Sequence, residues 1–170
     1  NVLFSEFGGV SAFNAYMKQT YGVTDQNFVF TTGSGLAANS VTCRLTLSVL
    51  KHIKQTVDTQ GLVLENIIAL PGEEGTLTNR LFGNQYLRAV VMKTGNVWSH
   101  VTLAGFIKTE TGIKYFVFLN NATGATEKLV NDTRKFQDQI LVRYLSELRP
   151  ASFMPKDSTF MWSYFVFQKN

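Results

Sequence analysis

The sequence predicts an α+β domain in which an antiparallel sheet is flanked by helices. Segments with apolar residues at helical spacing stand before and after a block of three β-rich segments. The joins within that block are too short for a crossover helix, so its strands should be antiparallel neighbours. With 170 residues, 45% apolar and 16% charged, the chain is long enough for one core and has much surface to bury.

The N-terminal part predicts a short helix and a short strand. Within residues 8–23, Val10, Phe13 and Met17 keep near-helical spacing, and Gly22 can end the helix. The segment NFVF that follows predicts a strand. A loop rich in Gly, Ser and Asn comes after it.

The clearest helix begins after Thr42, a suitable N-cap, and ends before Gly61. Its apolar stripe consists of Val41, Leu45, Val49, Ile53 and Val57. Cys43, the only cysteine, is predicted to be a small buried residue of this helix. One cysteine allows no internal disulfide and no cysteine-based zinc site. Residues 63–69 predict one or two further helical turns.

Residues 87–95, 97–109 and 113–120 predict the three strands, joined by TGN and KTETGIK. The last strand contains YFVFLN, which is apolar on both faces. This pattern indicates a central strand covered on both sides. Three such strands are too few to be self-sufficient, so we expect the complete sheet to contain more.

A long helix is predicted over roughly residues 126–148. Its apolar stripe is predicted to be Phe136, Ile140, Tyr144 and Leu148, with Leu129, Leu141 and Leu145 alongside. We expect residues 1–150 to form one domain part and residues 151–170 an aromatic extension. That extension is strand-like, and an exposed edge of this kind would aggregate, so it should pair with something.

Charge and composition exclude several classes of function. The net charge of +4 comes from scattered basic residues, so no nucleic-acid-binding patch is predicted. Attraction to an anionic polymer, or peripheral contact with a membrane, stays open. No stretch reaches transmembrane length. The opening NVLFSEFGG has neither Met nor a charged leader, so we expect a processed end or an internal fragment.

The segment VVMKTGNVW places Lys93-Thr94-Gly95 late on a predicted strand, before two more strands and a terminal helix. Serine β-lactamases and penicillin-binding proteins carry this triplet in the same setting. The stretches TTGSGLAANS and GEEGTLTNRL strengthen the match. Over residues 8–145 the chain resembles the D-alanyl-D-alanine carboxypeptidase/endopeptidase family of class C low-molecular-mass penicillin-binding proteins. The resemblance implies part of a β-lactamase/transpeptidase-like fold.

The resemblance also implies roles for individual residues. Lys93 would stabilise negative charge and help to anchor the C-terminal carboxylate of the substrate, which the Thr94 hydroxyl would also bind. Gly95 would let an extended peptide or a β-lactam lie against the strand. The backbone N–H of Asn96 would be an oxyanion-hole donor. His100, on the next strand, is a further candidate for the substrate cleft. No metal or organic cofactor is implied.

Two motifs of the family are missing. Its nucleophile lies in a Ser-x-x-Lys motif, and its Ser-x-Asn motif precedes the first helix; both would lie upstream of Asn1. The one internal match, SVLK at Ser48, sits in the long helix and is interpreted as coincidence. Ser34 lacks the Gly-x-Ser-x-Gly elbow and is predicted to be a loop serine. Thr32 stands where the family usually has Asp, and Asn96 where it usually has Ser or Thr.

Two functional hypotheses follow. In the first, the chain is the C-terminal part of a periplasmic or cell-envelope bacterial enzyme that acts on peptidoglycan stem peptides through an acyl-enzyme. β-Lactams would trap that intermediate, and an upstream portion of the same enzyme would supply the nucleophile. In the second, the chain is a non-catalytic truncated relative that binds peptidoglycan or an envelope protein through its exposed sheet.

Overall fold

The computed structural model describes residues 2–24, 28–33, 39–73, 75–81, 85–97, 100–121, 124 and 126–153. The described chain is α+β, with helices on both faces of an antiparallel sheet, as the sequence predicts. The helices are α1 (Val2–Glu6), α2 (Gly9–Tyr21), α3 (Cys43–Thr59), α4 (Leu64–Ile67) and α5 (Glu127–Glu147), with 3₁₀ turns at Gly75–Leu77 and Leu87–Ala89. The strands are β1 (Phe28–Val29), β2 (Ser40–Val41), β3 (Val90–Val97), β4 (His100–Thr109) and β5 (Gly112–Asn121).

The main sheet has the order β3-β4-β5, and both pairs are antiparallel. The predicted TGN join is wrong, because Gly95 and Asn96 still pair with β4. Residues 98–99, between β3 and β4, lie outside the described residues. In the middle of β4, Gly105 lies so close to β3 that an added Cβ would be 2.2 Å from the carbonyl oxygen of Val91.

The sequence predicts that the YFVFLN strand is central and covered on both faces. Within the described residues, β4 is the central strand and β5 lies at one side of the sheet. Both faces of β5 are nevertheless covered, which explains its continuous apolar sequence. Phe116 packs in the cluster that contains α5 residues, and Val117 packs against the cluster of α3.

Helix α3 covers one face of the sheet. Its N-cap is Thr42, as predicted, whose hydroxyl accepts a hydrogen bond from the N–H of Leu45 at 3.2 Å. Leu50 and Val57 pack on Val91 of β3. Cys43 is exposed, so the prediction that it is buried is wrong. It occupies the first position of the helix, ahead of the turns that pack on the sheet.

Helix α5 covers the opposite face, and the predicted stripe is only partly correct. Leu148, and Leu141 and Leu145 predicted alongside the stripe, contribute to the core, whereas the other three stripe residues do not. Phe136, Ile140 and Tyr144 are exposed by 55%, 38% and 43%. The buried side consists of Val130, Gln137, Leu141 and Leu145. The reason is Gln137: its amide finds partners under the helix, which places the face that contains it toward the sheet. Apolar residues on the neighbouring face are left at the surface.

The N-terminal elements form a smaller cluster of their own. Helix α2 ends at Gly22 with φ 59°, as its sequence predicts. Met17 packs with Phe28 of β1 and Leu45 of α3. No helix in the described ranges is both long and apolar enough to cross a membrane.

The chain after α5 returns to the end of the sheet. The N–H of Ala151 donates to the carbonyl of Lys108 at 3.0 Å, and that of Phe153 donates to Arg88 at 2.7 Å. Phe153 is buried in the cluster between α3 and the sheet. The predicted aromatic strand of the extension lies in residues 154–170, outside the described residues.

Candidate functional site

The outer edge of β3, on the side away from β4, is the candidate site. The N–H of Met92 donates to the carbonyl of Ala69 at 3.0 Å and therefore points away from β4. Backbone groups alternate direction along an antiparallel strand, so the N–H groups of Thr94 and Asn96 also point outward. No strand pairs with this side of β3 in the part of the chain that the structure describes.

The side chains of the Lys-Thr-Gly triplet divide between the two faces of β3. Lys93 and Gly95 share the face of Val91, which packs toward α3. Thr94 shares the face of Met92, toward α5. Lys93 is exposed, and its ammonium reaches back to the carbonyl oxygen of Thr94 at 2.5 Å. The cation thus lies beside the free edge.

A neighbouring turn extends the site. In the 3₁₀ turn Gly75–Leu77, the hydroxyl of Thr76 lies 2.6 Å from the hydroxyl of Thr94. Leu77 is buried under the sheet and anchors the turn. Its carbonyl accepts from the N–H of Gly72 at 2.9 Å. Sequence reasoning used this stretch only for its resemblance and did not assign Thr76 a role.

A buried polar network fixes the chain that follows this turn. The Arg80 Nε donates to both carboxylate oxygens of Asp138, at 2.9 and 3.0 Å. Its Nη2 donates to Gln137 Oε1 at 3.1 Å. The Gln137 Nε2 in turn donates to the carbonyl of Val101 and to the side chain of Asn120. In the sequence, Arg80 belongs to the GEEGTLTNRL stretch that resembles the family, but its partners on α5 were not predicted.

The side chain and the backbone N–H of Asn96 point in different directions. In the amide orientation that satisfies both neighbours, its Nδ2 donates to the carbonyl of His100 at 3.2 Å, and its Oδ1 accepts from Arg134 Nη2 at 3.1 Å. The side chain is thereby turned toward α5. The group that Asn96 presents on the outer edge of β3 is its backbone N–H.

Gly95 is constrained from within the sheet. An added Cβ would lie 2.4 Å from the Oγ1 of Thr102, the residue opposite it on β4. That hydroxyl donates to the Gly95 carbonyl at 3.3 Å. A side chain at this position is therefore excluded by packing within the sheet. This reason adds to the one given by the sequence, which is that glycine lets a ligand approach the strand closely.

His100 is placed apart from the triplet. It is the first residue of β4 and pairs with Val97. Four residues separate it from Ala104, the partner of Lys93, which corresponds to about 14 Å along the strand. The structure therefore brings Thr76 to the triplet at Thr94 and leaves His100 at the start of β4, beside Asn96 and away from Lys93.

The one Ser-x-x-Lys match of the sequence lies within helix α3. The hydroxyl of Ser48 donates to the Arg44 carbonyl at 3.1 Å, within its own helix. This bond agrees with the interpretation of SVLK as coincidence. Ser34 lies outside the described residues. Among described side chains, no group of three His, Cys, Asp or Glu is arranged to hold a metal ion.

Sequence comparison connects this edge with a family. The family model described as D-Ala-D-Ala carboxypeptidase 3 (S13) matches residues 4–144. The chain belongs to this S13 family. No curated protein matches it.

Two solved structures share the fold of this chain. The predatory endopeptidase Bd0816 of Bdellovibrio bacteriovorus, in complex with immunity protein Bd3460, is 23% identical with TM-score 0.81 over 91% of this chain and 41% of its own. Penicillin G-acylated Bd3459 of the same bacterium, also with Bd3460, is 21% identical with TM-score 0.83 over 92% and 44%. Both share the fold of the S13 chain.

A third structure has a higher identity. Penicillin binding protein 4 (dacB) from Haemophilus influenzae, complexed with a β-lactam, is 27% identical with TM-score 0.55 over 77% of the S13 chain and 31% of its own. The S13 chain thus spans less than half the length of the structures that it matches.

Proposed function

We propose that this S13 chain supplies the β3 edge of the active site of a serine D-alanyl-D-alanine carboxypeptidase/endopeptidase acting on peptidoglycan stem peptides. The observation that carries the proposal is the free edge of β3, where Lys93, Thr94 and the outward N–H of Asn96 stand within four residues. Membership of the S13 family supports it. The acylation of Bd3459 by penicillin G is consistent with a site that also takes β-lactams.

The edge suits an extended peptide that ends in a carboxylate. The outward backbone groups of Thr94 can pair with the peptide as a neighbouring strand would. The Thr94 hydroxyl and the Lys93 ammonium supply charge-assisted hydrogen bonds to the carboxylate. The N–H of Asn96 is a preorganised donor for the oxygen that becomes negative when the peptide carbonyl is attacked. The reaction needs no metal or organic cofactor.

The nucleophile belongs, in this proposal, to an upstream portion of the same enzyme. Its serine hydroxyl attacks the carbonyl carbon of the penultimate residue and loses its proton to a lysine base. The peptide C–N bond then breaks, the base returns the proton to the leaving nitrogen, and D-alanine departs from an acyl ester on the serine. Water then hydrolyses the ester. Residues 1–150 would be the C-terminal part of the catalytic domain and residues 151–170 an extension. The place of action would be the periplasm or cell envelope, with at most peripheral membrane contact.

A second candidate is a non-catalytic binding module that retains the β3 edge. It is favoured by Ser48, the one serine in a Ser-x-x-Lys match, whose hydroxyl is used within its own helix. Such a module would bind stem peptides through the same edge without releasing D-alanine.

Release of D-alanine by the full-length gene product distinguishes the two candidates. We expect turnover of a stem pentapeptide, and we expect Lys93→Ala to lower kcat/KM by about a hundredfold, because it removes the cation beside the developing charge. Lys51→Ala, which removes an exposed lysine of α3, is the matched control and should retain full activity. Peptide binding without any release of D-alanine would establish the binding module instead.

A further inference from the structure

Thr76 touches the triplet from outside β3. Its Oγ1 lies 2.6 Å from the Oγ1 of Thr94, a distance typical of a hydroxyl–hydroxyl hydrogen bond. The two residues are 18 positions apart in the chain. Thr76 itself is exposed at the β3 edge, so its hydroxyl is not needed to satisfy a buried group.

The direction of this hydrogen bond matters for substrate binding. A hydroxyl has one hydrogen to donate and two lone pairs to accept with. If Thr94 donated to Thr76, it would have no hydrogen left for a carboxylate. If Thr76 donates, the Thr94 hydrogen stays available, and the accepted bond polarises Thr94 into a stronger donor.

We propose that Thr76 is a positioning residue for the carboxylate-binding hydroxyl: it donates to Thr94 and thereby directs the Thr94 hydrogen toward the substrate. This inference rests on the proposed function of the β3 edge. In this proposal Thr76 does not contact the substrate and acts only through Thr94.

Neighbouring residues anchor the turn that contains Thr76. The next residue, Leu77, is 2% exposed in the core beneath the sheet. Three residues further on, the N–H of Arg80 donates to the Leu77 carbonyl at 2.9 Å. The Arg80 side chain is 6% exposed and paired with Asp138 of α5. The turn is therefore anchored on both the sheet and the helix, and these contacts place Thr76 beside β3.

The test is a double-mutant cycle on the rate of acylation by a fluorescent penicillin, which carries the carboxylate, in the full-length gene product. Thr76→Val keeps the side-chain shape but removes the hydroxyl, and should slow acylation about three- to tenfold. Thr76→Ser should restore the rate to within about twofold, because it keeps the hydroxyl. In a Thr94→Val background, Thr76→Val should have almost no further effect.

Thr78→Val is the matched control, because the Thr78 hydroxyl donates to the Gly75 carbonyl in the same turn and does not contact Thr94. The final extent of labelling reports the fraction of folded, active molecules, and the rate constant reports acylation. Partial unfolding therefore lowers the extent of labelling and does not lower the rate constant. An unchanged rate in Thr76→Val, or an equal slowing with and without Thr94→Val, overturns the inference while the function stands. Failure of the unsubstituted protein to be acylated overturns both.

Discussion

At the scale of single residues, Gly95 can be tested without any ligand. An alanine Cβ would lie 2.4 Å from the Thr102 Oγ1, so Gly95→Ala should lower the free energy of unfolding by about 1–3 kcal/mol. Thr102→Ala removes that oxygen. In its background, Gly95→Ala should cost well under about 1 kcal/mol, as measured by urea unfolding. An equal cost in both backgrounds would show that the contact with Thr102 is not the reason for the glycine.

The sequence predicted the part of the site that lies in consecutive residues, but not the part that depends on packing between distant segments. The Lys93-Thr94-Gly95 triplet was found because its chemistry is carried by three consecutive residues. The Thr76–Thr94 pair was missed because it depends on how a turn packs against β3. Cys43 was predicted to be buried from its residue type, but the start of a helix ahead of its packed turns is exposed.

At the scale of elements, the ion pair between Arg80 and Asp138 joins the turn before β3 to α5. Asp138→Asn would leave the buried guanidinium without its carboxylate, and should cost about 3 kcal/mol of unfolding free energy. The matched control is Asp58→Asn, which removes an exposed pair with Lys54 within α3 and should cost about 0.5 kcal/mol. Urea unfolding of both variants gives the comparison, and similar costs would refute the bracing role of Arg80.

The existence and approximate limits of α3 and α5 followed from apolar spacing, since caps and periodicity are local properties. The orientation of α5 did not. Apolar residues recur every fourth position on two adjacent faces, one with Phe136 and Ile140, the other with Leu141 and Leu145. Hydropathy favours neither face. The choice depends on Gln137, whose partners on β4 and β5 are distant in the sequence.

At the scale of the whole molecule, the antiparallel meander was predictable because its joins are short. The position of each strand in the sheet was not, because it depends on which strands are adjacent in space. The YFVFLN strand has the sequence of a central strand and lies beside only β4 in the described chain. The S13 chain covers 41% of Bd0816, so the site is proposed to be completed by protein that this sequence does not contain.

The most direct test of this account is to locate the covalent adduct of a fluorescent penicillin by mass spectrometry. Residues 1–170 alone and the full-length gene product are treated in parallel, each also as Lys93→Ala. We predict an adduct only in the full-length protein, on a serine upstream of this chain, and strong loss of labelling in Lys93→Ala. An adduct on any serine within residues 1–170, or labelling that is indifferent to Lys93, would contradict the claim that this chain contributes the β3 edge to a nucleophile carried elsewhere.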